Sequence, residues 1–254
     1  MRNIWIIAKT TFRTETRSKL LYGILIFAFL YLFFEIFLAE LVLRELPMVK
    51  SFGLAGIYFF NAIVALFLGT TSFFRDVERK VVYFILAKPV SRAQFLLGKF
   101  FGLCLVLLLA TAILGAGYLG LVAYEHGGFD GLGLLAIFMQ YLEMALFIAF
   151  ALFVSTFSSS LLSIVYTSAV FFIGHVVSQL VTDARQIGLK GVQLLLVQAL
   201  YYVFPNLEKF DVRTLAIHDV AMPFHAVALA FAYAAAYGAF LLSAAIWIFD
   251  KKEL

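Results

Sequence analysis

The residue best placed to do chemistry in this chain is a carboxylate in an apolar setting. Glu143 stands near the middle of the run 132–154, with Gln140 about one helical turn before it. An ionised group among hydrocarbon is costly, so Glu143 must face other helices or a watery cavity, or carry a proton. Two roles fit: a group lining a substrate pathway, and a hydrogen bond that ties one helix to another. Glu35 and Glu40 lie toward one end of the first apolar run, and His175 with Gln179 toward the end of the fifth. Near an interface such side chains reach water without further consequence.

Other chemistries find weaker support. Carboxylate and histidine together could hold a metal, but no pair has ligand spacing within one helix, so no metal is expected. The single cysteine, Cys104, sits inside an apolar stretch and has no partner for a disulfide or a ligand cluster. Ser155, Ser158, Ser159, Ser160 and Ser163 crowd one short turn, yet His175 lies about 18 Å farther along a helix from Ser163, too far for a serine–histidine nucleophile. A phosphate-binding loop is absent, since the nearest Gly-Lys, Gly98-Lys99, is followed by Phe100. The chain therefore reads as non-catalytic, with no cofactor of its own.

The elements that must position these groups are membrane helices. Hydrophobic residues make up 64% of the 254 and charged residues only 13%, far from the balance of a soluble domain. Six stretches are long enough to cross a hydrocarbon core about 30 Å thick: 20–43, 54–74, 96–122, 132–154, 161–182 and 226–249. They are too long, and lack the period-2 alternation, to be barrel strands. The expected fold is thus an all-α membrane protein, a single transmembrane domain over 1–254. The net charge of +4 does not form a nucleic-acid patch, because the basic residues flank apolar runs, as anionic headgroups favour.

Thirteen Lys and Arg fall on the connections that share a side with the N-terminus, against six on the other side. The positive-inside rule then places both termini in the cytoplasm. Residues 1–19 hold five basic residues without the apolar core or cleavage site of a signal peptide, and the terminal Lys251-Lys252-Glu253-Leu254 reads as a chance likeness to a retention tail. Ile4, Ile7, Ala8 and Phe12 share a helix face beside a stripe of Lys9, Arg13 and Arg17, with Ile6 on the basic side. Such a helix suits the inner membrane interface, and the alternative is a basic flank that only orients the first span.

The external segment 183–225 carries its own helical pattern, with Leu189, Val192, Leu196, Ala199 and Val203 on one face. Its uncharged part, 191–204, is about 21 Å long as a helix and stops at Pro205, which suits a re-entrant or interfacial helix better than a span. Gly98 and Gly102 make a G-x-x-x-G, read as close packing within the chain rather than a dimer seam.

The most specific stretch is 75–99, RDVERKVVYFILAKPVSRAQFLLGK. It is long and charge-rich for a passive turn. Asp76, Glu78, Arg79 and Lys80 open it, Val81 to Leu86 are apolar, and Pro89 breaks the chain before Ser91 can cap the next helix. With Glu78, Leu86, Lys88, Pro89, Val90, Ser91, Arg92, Gly98 and Lys99, the stretch resembles the permease subunits of ABC-2 type exporters, including those accompanying nitrous-oxide reductase maturation. Lys80-Val81 stands where many relatives have Gly-Thr.

The resemblance implies a permease working as a homodimer, or as a heterodimer with a related permease, in a prokaryotic plasma (inner) membrane. It also implies a separate cytoplasmic ATP-binding cassette ATPase, docked on a coupling segment at 75–95. In that role Asp76, Glu78, Arg79, Lys88 and Arg92 would supply charged contacts, and Pro89 and Ser91 the bend. Gln140 and Glu143 would line the pathway. The competing class is an ATP-independent module, either a secondary carrier or an anchor for a cytoplasmic partner.

Overall fold

The computed structural model of the chain describes residues 2–41, 45–78, 90–126, 128–187 and 192–251. Nine α-helices and one 3-10 turn make up the described residues, and no strand occurs among them. They are α1 Arg2–Thr16, α2 Lys19–Leu41, α3 Leu46–Glu78, α4 Arg92–His126, α5 Gly131–Ser155, α6 Ser160–Gln186, α7 Val192–Val203, α8 Arg213–Ile217 and α9 Phe224–Lys251, with the 3-10 turn at Glu208–Phe210 before α8.

Five of these helices, α3, α4, α5, α6 and α9, are long and apolar enough to cross a membrane. The first expected span falls on α2, 23 residues long, although residues 42–43 lie outside the described set. Large apolar side chains cover the outer surface: Phe33 is 74% exposed, Phe172 69%, Phe240 66%. Water would not tolerate so much contiguous apolar area, whereas lipid does. α3 and α4 are longer than the spans expected from hydropathy, because their charged ends remain helical through Glu78 and from Arg92.

α5 is the axis of the bundle. It packs on α3, α4, α6 and α9, and its buried face runs from Gly133 to Ser155. Asp130 caps it, accepting from Gly133 N at 2.9 Å. At its other end the hydroxyls of Ser155, Thr156 and Ser158 donate to the carbonyls of Ala151, Phe153 and Val154, closing the serine-rich turn before α6. Two apolar clusters fill the bundle, one around Phe60, Tyr118 and Phe210, the other around Phe73, Phe95 and Phe249.

α1 lies along the first half of α4. Its buried stripe is Ile7, Ala8, Thr11 and Glu15, while Trp5 and Ile6 stay 63% and 55% exposed. The glycine pair makes the approach possible. A Cβ on Gly98 would fall 2.7 Å from Ile7 Cβ, and one on Gly102 would fall 2.7 Å from the Ala8 carbonyl oxygen. The G-x-x-x-G is therefore a seam within the chain.

The segment after α6 does more than cross the surface. On the face expected from periodicity, α7 leaves Val192 71% and Val203 66% exposed, and Leu189 and the Leu196 side chain lie outside the described residues. Beyond Pro205 the chain instead turns into the bundle. Leu207 N donates to Gly174 O at 3.0 Å, and Asn206 N to Tyr233 Oη at 2.9 Å. Leu207, Phe210, Val212 and Ala216 are buried. Gly174 is required here, since a Cβ would meet Pro205 O at 2.7 Å.

Candidate functional site

Three helices converge on Glu143. It sits midway along α5 and is 1% exposed. One α5 turn earlier, Gln140 Nε2 donates to Leu54 O of α3 at 3.2 Å. One α3 turn beyond Leu54, Tyr58 Oη donates to Glu143 Oε1 at 2.8 Å. From α6, His175 Nε2 stands 3.0 Å from the same oxygen and within hydrogen-bond reach of Tyr58 Oη. The His175 ring is held from behind by Nδ1, 2.8 Å from Phe171 O. His175, placed by sequence near a wet helix end, thus joins Glu143 across helices, a pairing that spacing within one helix cannot reveal.

The segment after Pro205 covers this cluster. The Arg213 guanidinium lies 4.4 Å from the centre of the Tyr58 ring. It also holds Asp211 bidentately, Nε to Oδ1 at 2.8 Å and Nη2 to Oδ2 at 2.7 Å. Burial opposes the Asp211 charge, but the hydrogen bonds and charge of Arg213 outweigh it and hold this carboxyl below the usual range. The same hydrogen bonds hold the Arg213 proton more firmly than usual.

A second cluster sits at the end of the bundle where Asp130 caps α5. Lys50 Nζ, on α3, lies 2.6 Å from Asp219 and 3.4 Å from Asp130, and Tyr118 Oη donates to Asp130 at 2.7 Å. Asp219 adopts φ 54°, a left-handed conformation that aims its carboxylate at Lys50. A cavity of about 490 Å³ opens beside Lys50, Asp130 and Phe129. Among the described residues no group of three or more His, Cys, Asp or Glu could hold a metal.

The opposite end carries the coupling residues read from sequence. Asp76, in the last turn of α3, pairs with Lys99 of α4, whose side chain is 2% exposed. Glu78, the last residue of α3, is exposed. Arg79, Lys88 and Pro89 lie outside the described residues. Ser91 caps α4 reciprocally with Gln94: Gln94 N donates to Ser91 Oγ at 3.2 Å and Ser91 N to Gln94 Oε1 at 3.3 Å. Arg92 reaches the last turn of α9, donating to Phe249 O and, at 3.2 Å, to Asp250 O. Its guanidinium also lies over the Phe249 ring.

Glu15 completes this collar. Buried on α1, it accepts from Ser72 and Arg75 of α3. Its place on the stripe Ile7, Thr11, Glu15 was a signal available in the sequence, since a carboxylate at a buried register needs a partner. α1, α3, α4 and α9 are thereby tied together around both ends of the 79–89 connection.

These features belong to a polytopic bundle with a polar centre and a cross-tied charged end, and comparison with known families agrees. No curated protein gave a match. The family described as "ABC-2 family transporter protein" matches residues 5–254. This chain belongs to that family of membrane transporter permeases.

Proposed function

We propose that the chain is the membrane-spanning subunit of an ATP-driven exporter, working as a dimer with two copies of a separate ATPase subunit. α2 serves as the sixth span, both termini face the cytoplasm of a prokaryotic cell, and α1 rests at the inner interface. The 75–95 stretch is the coupling segment. Nucleotide-driven closure of the ATPases would push on it, and the push would pass into α3 and α4.

The observation that supports this reading is the bracing on both sides of 79–89. Asp76–Lys99 and Glu15–Arg75 anchor the end of α3, and the Ser91 cap with the Arg92 bond to α9 anchors the start of α4. A displacement applied to Glu78, Arg79, Lys88 and Pro89 would thus move helices rather than slacken a loop. Asp76, Ser91 and Arg92 transmit the force from inside, and Glu78 is free to meet a partner. Gln140 and Glu143 contribute to the substrate pathway at the centre of the bundle.

Gentle extraction of the tagged chain from its native membrane tests the assignment. Copurification of an ATPase at one-to-one stoichiometry supports it, and a chain that repeatedly emerges without one sinks it. In the reconstituted complex, Glu78→Lys is expected to leave basal ATPase activity but to break its coupling to transport.

A further inference from the structure

We propose that Tyr58, Glu143 and His175 form a binding site for a single proton that clasps α6 to α3 and α5, and that release of this proton opens the clasp. All three side chains come from one chain, so the clasp needs no ATPase partner.

A carbonyl only accepts, so the 2.8 Å contact between His175 Nδ1 and Phe171 O requires the hydrogen on Nδ1. Nε2 of a neutral ring is then a lone pair. It faces Glu143 Oε1 at 3.0 Å and Tyr58 Oη, which itself lies 2.8 Å from Oε1. Tyr58 brings one hydrogen to this triangle and donates it to Oε1. Without another, Nε2 and Oε1 would be two acceptors facing each other at hydrogen-bond distance in a buried site, an arrangement that costs both desolvation and repulsion.

One added proton resolves the contact. Carried on His175, it makes an imidazolium that donates to the carboxylate; carried on Glu143, it makes an acid that donates to the imidazole. Either way the pair is neutral overall, the state that a low-dielectric interior favours. Glu143 Oε2 is a buried acceptor with no hydrogen-bond partner, so a proton on this carboxyl has either oxygen to occupy, whereas Gln140 Oε1, one turn away on α5, can only accept a hydrogen bond.

Tyr58 comes from α3 and His175 from α6, and Arg213 with Asp211 covers the Tyr58 ring as a neutralised pair. Tyr141, about 200° around α5 from Glu143, donates instead to the Cys104 carbonyl of α4. Loss of the proton to water leaves carboxylate and neutral imidazole opposed. α6, joined here to the α3–α5 pair by His175, is the element that must give way.

The test uses the full chain in lipid nanodiscs, with ¹⁵N-histidine magnetic resonance, infrared detection of the carboxyl band and backbone hydrogen exchange across a pH series. The His175 signal is identified by its loss in His175→Gln. Nδ1 is expected to stay protonated throughout. The Nε2 signal should change in one step, and exchange at residues 171–178 should rise at least tenfold across it. The Glu143 carboxyl should change in that same step or be ionised on both sides of it, according to which partner holds the proton.

Glu143→Gln keeps a donor for Nε2 but no exchangeable acid, so this variant should remain folded and lose the step. A step that persists unchanged in Glu143→Gln, or a His175 that is neutral beside an ionised Glu143 over the whole range, would overturn the site. A step without any change in exchange would overturn the clasp.

Discussion

A buried ion pair shows its role when one half is removed. Lys99, 2% exposed, is neutralised by Asp76 on the neighbouring helix. Lys99→Met should cost about 3–5 kcal/mol, because it strands a partly buried carboxylate. Asp76→Leu with Lys99→Met should recover most of that loss. Thermal unfolding in detergent, read as a double-mutant cycle, checks the coupling.

Asp211 offers a test by pH. Its carboxyl is held below the usual range in the folded chain, so its contribution to stability is present above the ordinary carboxylate pKa and fades as pH falls through the lower folded value. Acidification should therefore increase protease cutting between Pro205 and Asp219. Arg213→Ala should remove that dependence while raising cutting at neutral pH.

Helix contacts depend on where side chains are missing as much as on where they are present. Gly98 and Gly102 let the backbone of α1 touch α4, and any larger residue forces them apart. Gly102→Leu should destabilise the chain by about 1–3 kcal/mol and expose α1 to protease, whereas Gly120→Leu on the same helix, where a Cβ meets nothing within 4 Å, should do neither. The first variant would also loosen the Glu15 contacts with Ser72 and Arg75. α1 is thus part of the charged collar and not merely a basic flank.

The distribution of charge over the folded chain makes the topology testable. The proposed orientation puts α1 and the 75–95 segment on the cytoplasmic side, where the sequence has thirteen basic residues against six on the other. Single cysteines introduced at Glu78 and at Lys209 on a Cys104→Ala background should label from opposite sides of sealed vesicles. Labelling of both positions from one side would refute the proposed orientation.

Much of this protein was legible before folding. Runs of apolar residues long enough for lipid and the basic bias of their flanks are local properties, set by solvent and backbone chemistry within a few turns. Ser91 could be read as a cap because capping joins residues three apart. The N-terminal register already carried Ile7 and Ala8 on one face. Partners distant in sequence were a different matter. Tyr58, Glu143 and His175 are separated by 85 and 117 positions, measured from Tyr58, and nothing local marks a tyrosine in an apolar helix as the donor to a distant carboxylate. The return of 205–217 into the bundle was equally hidden, because it depends on the space at Gly174 and on carbonyl and hydroxyl groups from other helices. Composition and periodicity determined which segments are long and apolar enough to cross a membrane, since each segment meets its solvent by itself. Which polar groups meet inside was decided by the packing of α5 among its neighbours, because a buried charge is satisfied only by what the tertiary structure brings within about 3 Å.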